Sequence, residues 1–166
     1  MMRFVERAKT SGFYLWLLNR VFERMVPFNL SHRFRIVEIG AQHVKTYLPY
    51  RRSNLNHVKG LHACALATLT ELTSGFLLAA RLDPKKFRLI LKRLEIDYLY
   101  QGKMDAVCEF RLTDDLLRDT ITGPLQSIES TVFVAEVNIF DLKGNQLTAG
   151  KAHWQIKDWS KVRTKA

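Results

Sequence analysis

The stretch His62-Ala-Cys-Ala-Leu-Ala-Thr-Leu-Thr-Glu71-Leu-Thr-Ser-Gly-Phe-Leu-Leu-Ala-Ala80 is apolar or small at nearly every position. A helix of that kind must be enclosed by the rest of the fold. The expected helix runs from Leu61 to Leu82 and stops at Asp83-Pro84, where proline cannot continue it. A single carboxylate, Glu71, interrupts it. Burying an ionised carboxyl without a partner is costly and raises its pKa, so an acid in this place points to a use. The competing reading is a structural acid, satisfied by the hydroxyl of Thr68, Thr70, Thr73 or Ser74 or by a distant Lys or Arg. Just upstream, Asn56-His-Val-Lys-Gly60-Leu-His62 forms a polar, glycine-containing lead-in to the helix.

Outward from the helix, the remaining chain reads mostly as strands. Arg33 to Tyr50 is rich in β-branched and aromatic residues and reads as one long strand with a break at Gly40. Residues 51 to 60 form a polar loop. Beyond the helix, Phe87 to Tyr100 and Lys103 to Leu112 alternate as strands, with Gln101-Gly102 as an expected hairpin turn. Thr113 to Ser130 is a polar excursion with a helical turn near Asp114 to Arg118. Thr131 to Phe140 and Gln146 to Trp159 are two further strands joined through Asp141 to Asn145. Near the start, Tyr14, Leu17, Leu18, Val21, Phe22 and Met25 fall at helical spacing, as an amphipathic helix packed on the domain's own core requires. A helix lying on an anionic membrane is the lesser reading of that pattern. The polar Asn19 and the charged Arg20, Glu23 and Arg24 leave the apolar run too short to span a bilayer, and no small-residue cleavage site follows it. The class is therefore α+β: a long helix wrapped by a curved antiparallel sheet of about five strands. The expected organisation is a helical extension over residues 1–30, one domain over 31–160 and a basic tail over 161–166.

The chain of 166 residues suffices for one core without metals or disulfides. Its two cysteines, Cys64 and Cys108, lie far apart and outside any CxxC pattern, so a zinc site or disulfide framework is not expected and a reducing, cytoplasmic location is. His57 and His62, five apart in a loop, make a weak metal pair; no metal and no cofactor is expected. Cys64 lacks an evident base, which argues against a thiol nucleophile. The net charge of +10 favours anionic partners. Without an aromatic RNA-binding pattern or a DNA-reading helix, nucleic acid is not the expected one.

The order of elements matches the hotdog fold. The run from Asn56 through Gly60 and His62-Ala63 to Glu71, nine residues beyond His62, resembles the active-site motif of PaaI-like hotdog thioesterases. In that family an asparagine, a loop glycine, a histidine at the helix start and an acid inside the helix recur. The resemblance covers roughly Arg33 to Trp159 and extends to a poorly characterised branch with a basic helical extension. It implies thioester hydrolysis, with Glu71 as general base or nucleophile, Asn56 orienting water or substrate, and His62 bracing the loop. The amides near His62 and Ala63 would then serve as oxyanion donors. It also implies an acyl-coenzyme A or acyl-carrier-protein substrate and a homodimer, or a dimer of dimers, with the site between subunits. Gly60, Arg81, Lys85, Lys86 and Arg88 are the candidate substrate contacts, the four cations for the phosphates. The sequence departs from the pattern at Ala63-Cys64, where relatives carry Gly-Gly. That departure keeps a second class open, a hotdog module that binds an acyl or lipid ligand or a protein without hydrolysis.

Overall fold

The computed structural model describes residues 2–159, with side chains from Phe4 onward; the basic tail over 161–166 lies outside the described residues. Three helices lead the chain: α1 (Met2–Thr10), α2 (Gly12–Met25) and α3 (Pro27–Leu30). Strands β1 (Arg35–Ile39) and β2 (His43–Leu48) follow, then the long helix α4 (Ala63–Arg81). After it come β3 (Phe87–Tyr98), β4 (Ala106–Arg111), two short helices α5 (Asp114–Leu117) and α6 (Pro124–Ser127) joined by a π-helical turn, and the paired strands β5 (Ser130–Asp141) and β6 (Gln146–Asp158). The strands form one antiparallel sheet in the order β1-β2-β4-β5-β6-β3.

The sheet curls around α4. Leu69, Leu77 and Leu78 of the helix are fully buried or nearly so, as are Val44, Leu48, Val137, Ile139 and Ile156 on the strands that face it. By length and hydropathy alone α4 would qualify as a membrane span. Its apolar surface is accounted for here by the sheet.

Two expectations change. The stretch from Arg33 to Tyr50 is a hairpin, not one strand, so the sheet has six strands where about five were expected. The amide of Gly40 donates to the His43 carbonyl at 2.9 Å, closing the turn. A Cβ at Gly40 would fall 2.2 Å from the His43 ring, so only glycine lets the imidazole fold over the reversal. Gln101-Gly102 is likewise not a hairpin turn. β3 pairs with β6 at the sheet edge, whereas β4 lies between β2 and β5, so the chain crosses from the edge to the interior. Gly102 is buried in that crossing, where its carbonyl accepts from Leu61 at 2.8 Å and a Cβ would crowd Leu147 and Leu61. Alternation detects a strand but carries no information about its neighbour in the sheet.

The N-terminal helices pack on the domain, as the helical spacing predicts. Asn19 donates to the Ile36 carbonyl and accepts from the Ile36 amide, at 2.9 and 2.8 Å, tying α2 to the β1 edge. Leu18 is buried, and Phe22 meets Phe76 of α4 edge-to-face with centroids 6.1 Å apart. Val21 and Met25 remain exposed, as do Phe13, Trp16 and Phe28 on the outer side of this segment.

Candidate functional site

The loop before α4 is built around asparagines. Asn56 Oδ1 accepts from the amides of Val58 and Gly60 at 3.1 and 2.9 Å, while its own amide donates to the Gly60 carbonyl at 2.9 Å. Its side chain thus shapes the loop, with the amide group as the remaining polar handle. Gly60 is buried, and a Cβ there would meet the Gln101 side chain at 2.8 Å. Asn54 was not singled out by the sequence, yet it is the hub of this corner. It is 1% exposed, donates to the carbonyls of His32 and Pro49, and pairs with His32 Nδ1 at 3.0 Å.

His62 is the N-cap of α4. Its Nδ1 accepts from the Cys64 amide at 3.1 Å, so in this cap the ring carries its proton on Nε2. The side chain thus holds the first turn of α4. The expectation of two free amides at the helix start needs correction. The His62 amide donates to the Asn54 carbonyl at 2.8 Å, and those of Ala65 and Leu66 donate to the His62 carbonyl. Only the Ala63 amide has no acceptor among the described residues, and it sits at the positive end of the 19-residue helix. Tyr98 at the end of β3 donates to the Ala63 carbonyl at 3.0 Å, holding the same residue from the other side.

Glu71 lies eight residues further along α4, about 12 Å from Ala63 along the helix axis at 1.5 Å per residue. The hydroxyls that could have satisfied it are all turned elsewhere. Thr68, Thr70, Thr73 and Ser74 each donate to the carbonyl four residues earlier, Thr68 to Cys64 and Ser74 to Thr70 at 2.8 and 2.9 Å. Among the described residues no side chain forms a hydrogen bond or ion pair with the Glu71 carboxyl, and burial pushes its pKa above the usual carboxylate range. The carboxyl faces a cavity of about 680 Å³ between α4, the N-terminal helices and the strands β3 and β6. Its lining includes Val21, Phe22, Gly75, Phe76, Leu89 and Trp154.

The structure therefore brings Asn56, Gly60, His62 and Ala63 together at one end of α4 and sets Glu71 apart from them within a protomer. The four cations lie at the opposite helix end, where Arg81 is the last residue of α4, and beyond it. Arg81 is engaged: it donates to the carbonyls of Leu112 and Ala41 at 2.8 and 3.1 Å and pairs with Asp114. Lys85, Lys86 and Arg88 are exposed. Cys108 is buried beside Thr46 and Thr73, and burial pushes its thiol to about 12, so it is core.

A family model described as a domain of unknown function, DUF4442, matches residues 15–161. The chain belongs to that family. No curated protein matches it. Among solved structures it is similar to a Pseudomonas aeruginosa protein of unknown function called a probable thioesterase, at 24% identity and a TM-score of 0.78 over 86% of this chain and 94% of that one. It is also similar to a thioesterase from Haemophilus influenzae, at 10% identity and a TM-score of 0.68 over 94% and 97% of the two chains. A protein of unknown function from Chlorobaculum tepidum gives 9% identity and a TM-score of 0.74 over 90% and 98%. At such identities the likeness establishes the fold, which is the hotdog fold of thioesterases. In this chain N-terminal helices pack beside the acid-bearing face of the central helix, with the cavity between them.

Proposed function

We propose that the protein is an acyl thioesterase, acting in the cytoplasm on acyl-coenzyme A or acyl-carrier-protein thioesters. The observation that carries this reading is Glu71: a carboxyl largely withdrawn from water, without a partner among the described residues, facing an apolar cavity. A structural acid would have taken one of the four neighbouring hydroxyls, and none is offered. In the proposed reaction Glu71 takes a proton from water while the oxygen bonds to the thioester carbon. The oxyanion collects at the Ala63 amide, and collapse breaks the C–S bond as the thiolate recovers the proton. Direct attack by the Glu71 carboxylate is the covalent variant of the same step.

The separation of about 12 Å along α4 between Glu71 and Ala63 supports a site completed by a homodimer. Glu71 of one protomer would then face the Asn56–Ala63 corner of the other. β3, twelve residues long at the sheet edge, offers unpaired backbone groups for that association. Lys85, Lys86 and Arg88 would meet the phosphates of the carrier, with Arg81 holding the helix end.

A second reading, a binding module without hydrolysis, has its own observation. Because His62 occupies the Cys64 amide, the helix start offers a single free donor, Ala63, among the described residues. Hydrolysis of an acyl-CoA panel by wild type, Glu71→Gln and Glu71→Ala decides between the two. A working general base is worth roughly 10²–10⁴ in rate, so both variants should lose at least a hundredfold. Absence of turnover by wild type, or full rate in the variants, leaves the binding module.

A further inference from the structure

The cavity beside Glu71 is formed within one protomer, and its lining restricts what can occupy it. At about 680 Å³ it falls in the range of small-ligand pockets, roughly 300–1,000 Å³. Among the described residues Glu71 and Asn29 are the polar ones lining it besides Trp154, and the Trp154 Nε1–H is already given to Ser74 at 3.0 Å. Among the described residues no cationic side chain lines it, which disfavours a phosphate or carboxylate, and they place no array of donors there for a sugar or a base.

The shape is set by α4. Glu71, Gly75 and Ala79 recur every four residues and so stand in one row on the helix face. That row extends about 12 Å along the axis at 1.5 Å per residue, with the carboxyl at one end and the two smallest side chains beyond it. Opposite the row runs α2, held to the β1 edge by Asn19, with Phe22 across from Phe76. The mouth is apolar too: Val21 and Met25 line the cavity and are 40% and 65% exposed.

We propose that this chamber holds the unbranched aliphatic chain of the substrate, lying along Ala79 and the Trp154 indole that covers Gly75, with its carbonyl end at Glu71. The N-terminal hairpin is then the element that sets chain length. The identity of the carbonyl end as a thioester rests on the thioesterase reading; the chamber's selectivity for an aliphatic chain does not.

The test is calorimetric titration of full-length protein with non-hydrolysable S-propyl-, S-hexyl- and S-decyl-coenzyme A. Each methylene entering the chamber should raise affinity about fourfold, from ~0.8 kcal/mol per buried CH₂ at 1.4 kcal/mol per tenfold, until the space is full. Ala79→Phe, which fills the row, should shrink the decyl-to-propyl affinity ratio at least tenfold. Should circular dichroism show that variant unfolded, Val21→Trp at the exposed mouth replaces it with the same expectation. Affinity independent of chain length in wild type, as when a second protomer fills the space, overturns the proposal. So does a decyl-to-propyl ratio unchanged in a folded filled variant. Hydrolysis of decanoyl-CoA is measured alongside. Chain-length-dependent binding without turnover sinks the thioesterase reading and keeps the chamber; turnover with flat binding does the reverse.

Discussion

Gly75→Ala should change the sign of its effect on stability with the residue at position 154. A glycine inside a helix costs about 1 kcal/mol relative to alanine, so at an open site the substitution would stabilise the fold by that amount. At Gly75 the new Cβ would lie 2.7 Å from both Cη2 and Cζ2 of Trp154, closer than real contacts allow. The indole cannot step aside freely, being 6% exposed and tied to Ser74 by the 3.0 Å hydrogen bond. Overpacking of this kind costs about 1–3 kcal/mol, which outweighs the helical gain and leaves a net loss of about 1 kcal/mol. Trp154→Phe removes the two clashing ring atoms, and Ser74 keeps its bond to the Thr70 carbonyl. In that background Gly75→Ala should stabilise by about 1 kcal/mol, the propensity gain unopposed. The coupling of about 2 kcal/mol lies within the range for contacting residues. Urea denaturation of the four proteins at one fixed protein concentration measures it, since association would otherwise shift the midpoints. In thermal melts the single change should lower Tm by about 2–4 °C. Equal stabilisation by Gly75→Ala in both backgrounds would refute the close packing of α4 on β6 and the shape of the chamber built on it.

Three further outcomes follow from the site. Because burial raises the Glu71 pKa in the folded state, that state holds the proton more tightly than the unfolded chain, and stability falls as pH rises from the unfolded value through the raised folded one. Glu71→Gln should therefore melt higher than wild type at neutral pH and no higher below pH ~4, under the ordinary carboxylate range; a gap that persists in acid would show that ionisation is not its source. His62→Ala should cost about 1 kcal/mol of stability, typical of a lost N-cap, whereas His62→Asn should restore most of it. Equal losses in chemical denaturation would mean that the Nδ1 cap is not what holds the helix start. Asn54→Ala removes the buried side chain that joins His32 to Pro49, leaving the backbone bond to His62 in place, and should cost about 2–3 kcal/mol, since buried partners are left unpaired; a loss under about 0.5 kcal/mol, the scale of a surface change, would contradict that assignment.

Local chemistry made much of this protein legible. A nearly all-apolar helix can exist in water only if wrapped, and strands of alternating parity are what wrap it, so α4 and the α+β class followed from the order of residues. The odd acid at Glu71 and the polar corner at Asn56 and His62 stood out for the same reason, as residues whose burial or spacing has a cost. What local pattern could not supply was adjacency. Gly40 reads as a break in a strand, and only the imidazole of His43 lying over it shows a reversal. Gln101-Gly102 has turn composition, yet the pairing of β3 with β6 makes it a crossing. The fate of hydroxyls and amides was equally hidden. Whether Ser74 would satisfy Glu71 or Trp154, and whether the His62 amide would be free or given to Asn54, depends on groups far away in the chain. Residue order already shows which side chains must be buried and which are expensive there. Only the folded chain settles which of them meet, leaving Glu71 without a partner among the described residues and giving it a chamber, because contacts across a sheet are set by pairing order that no local periodicity records.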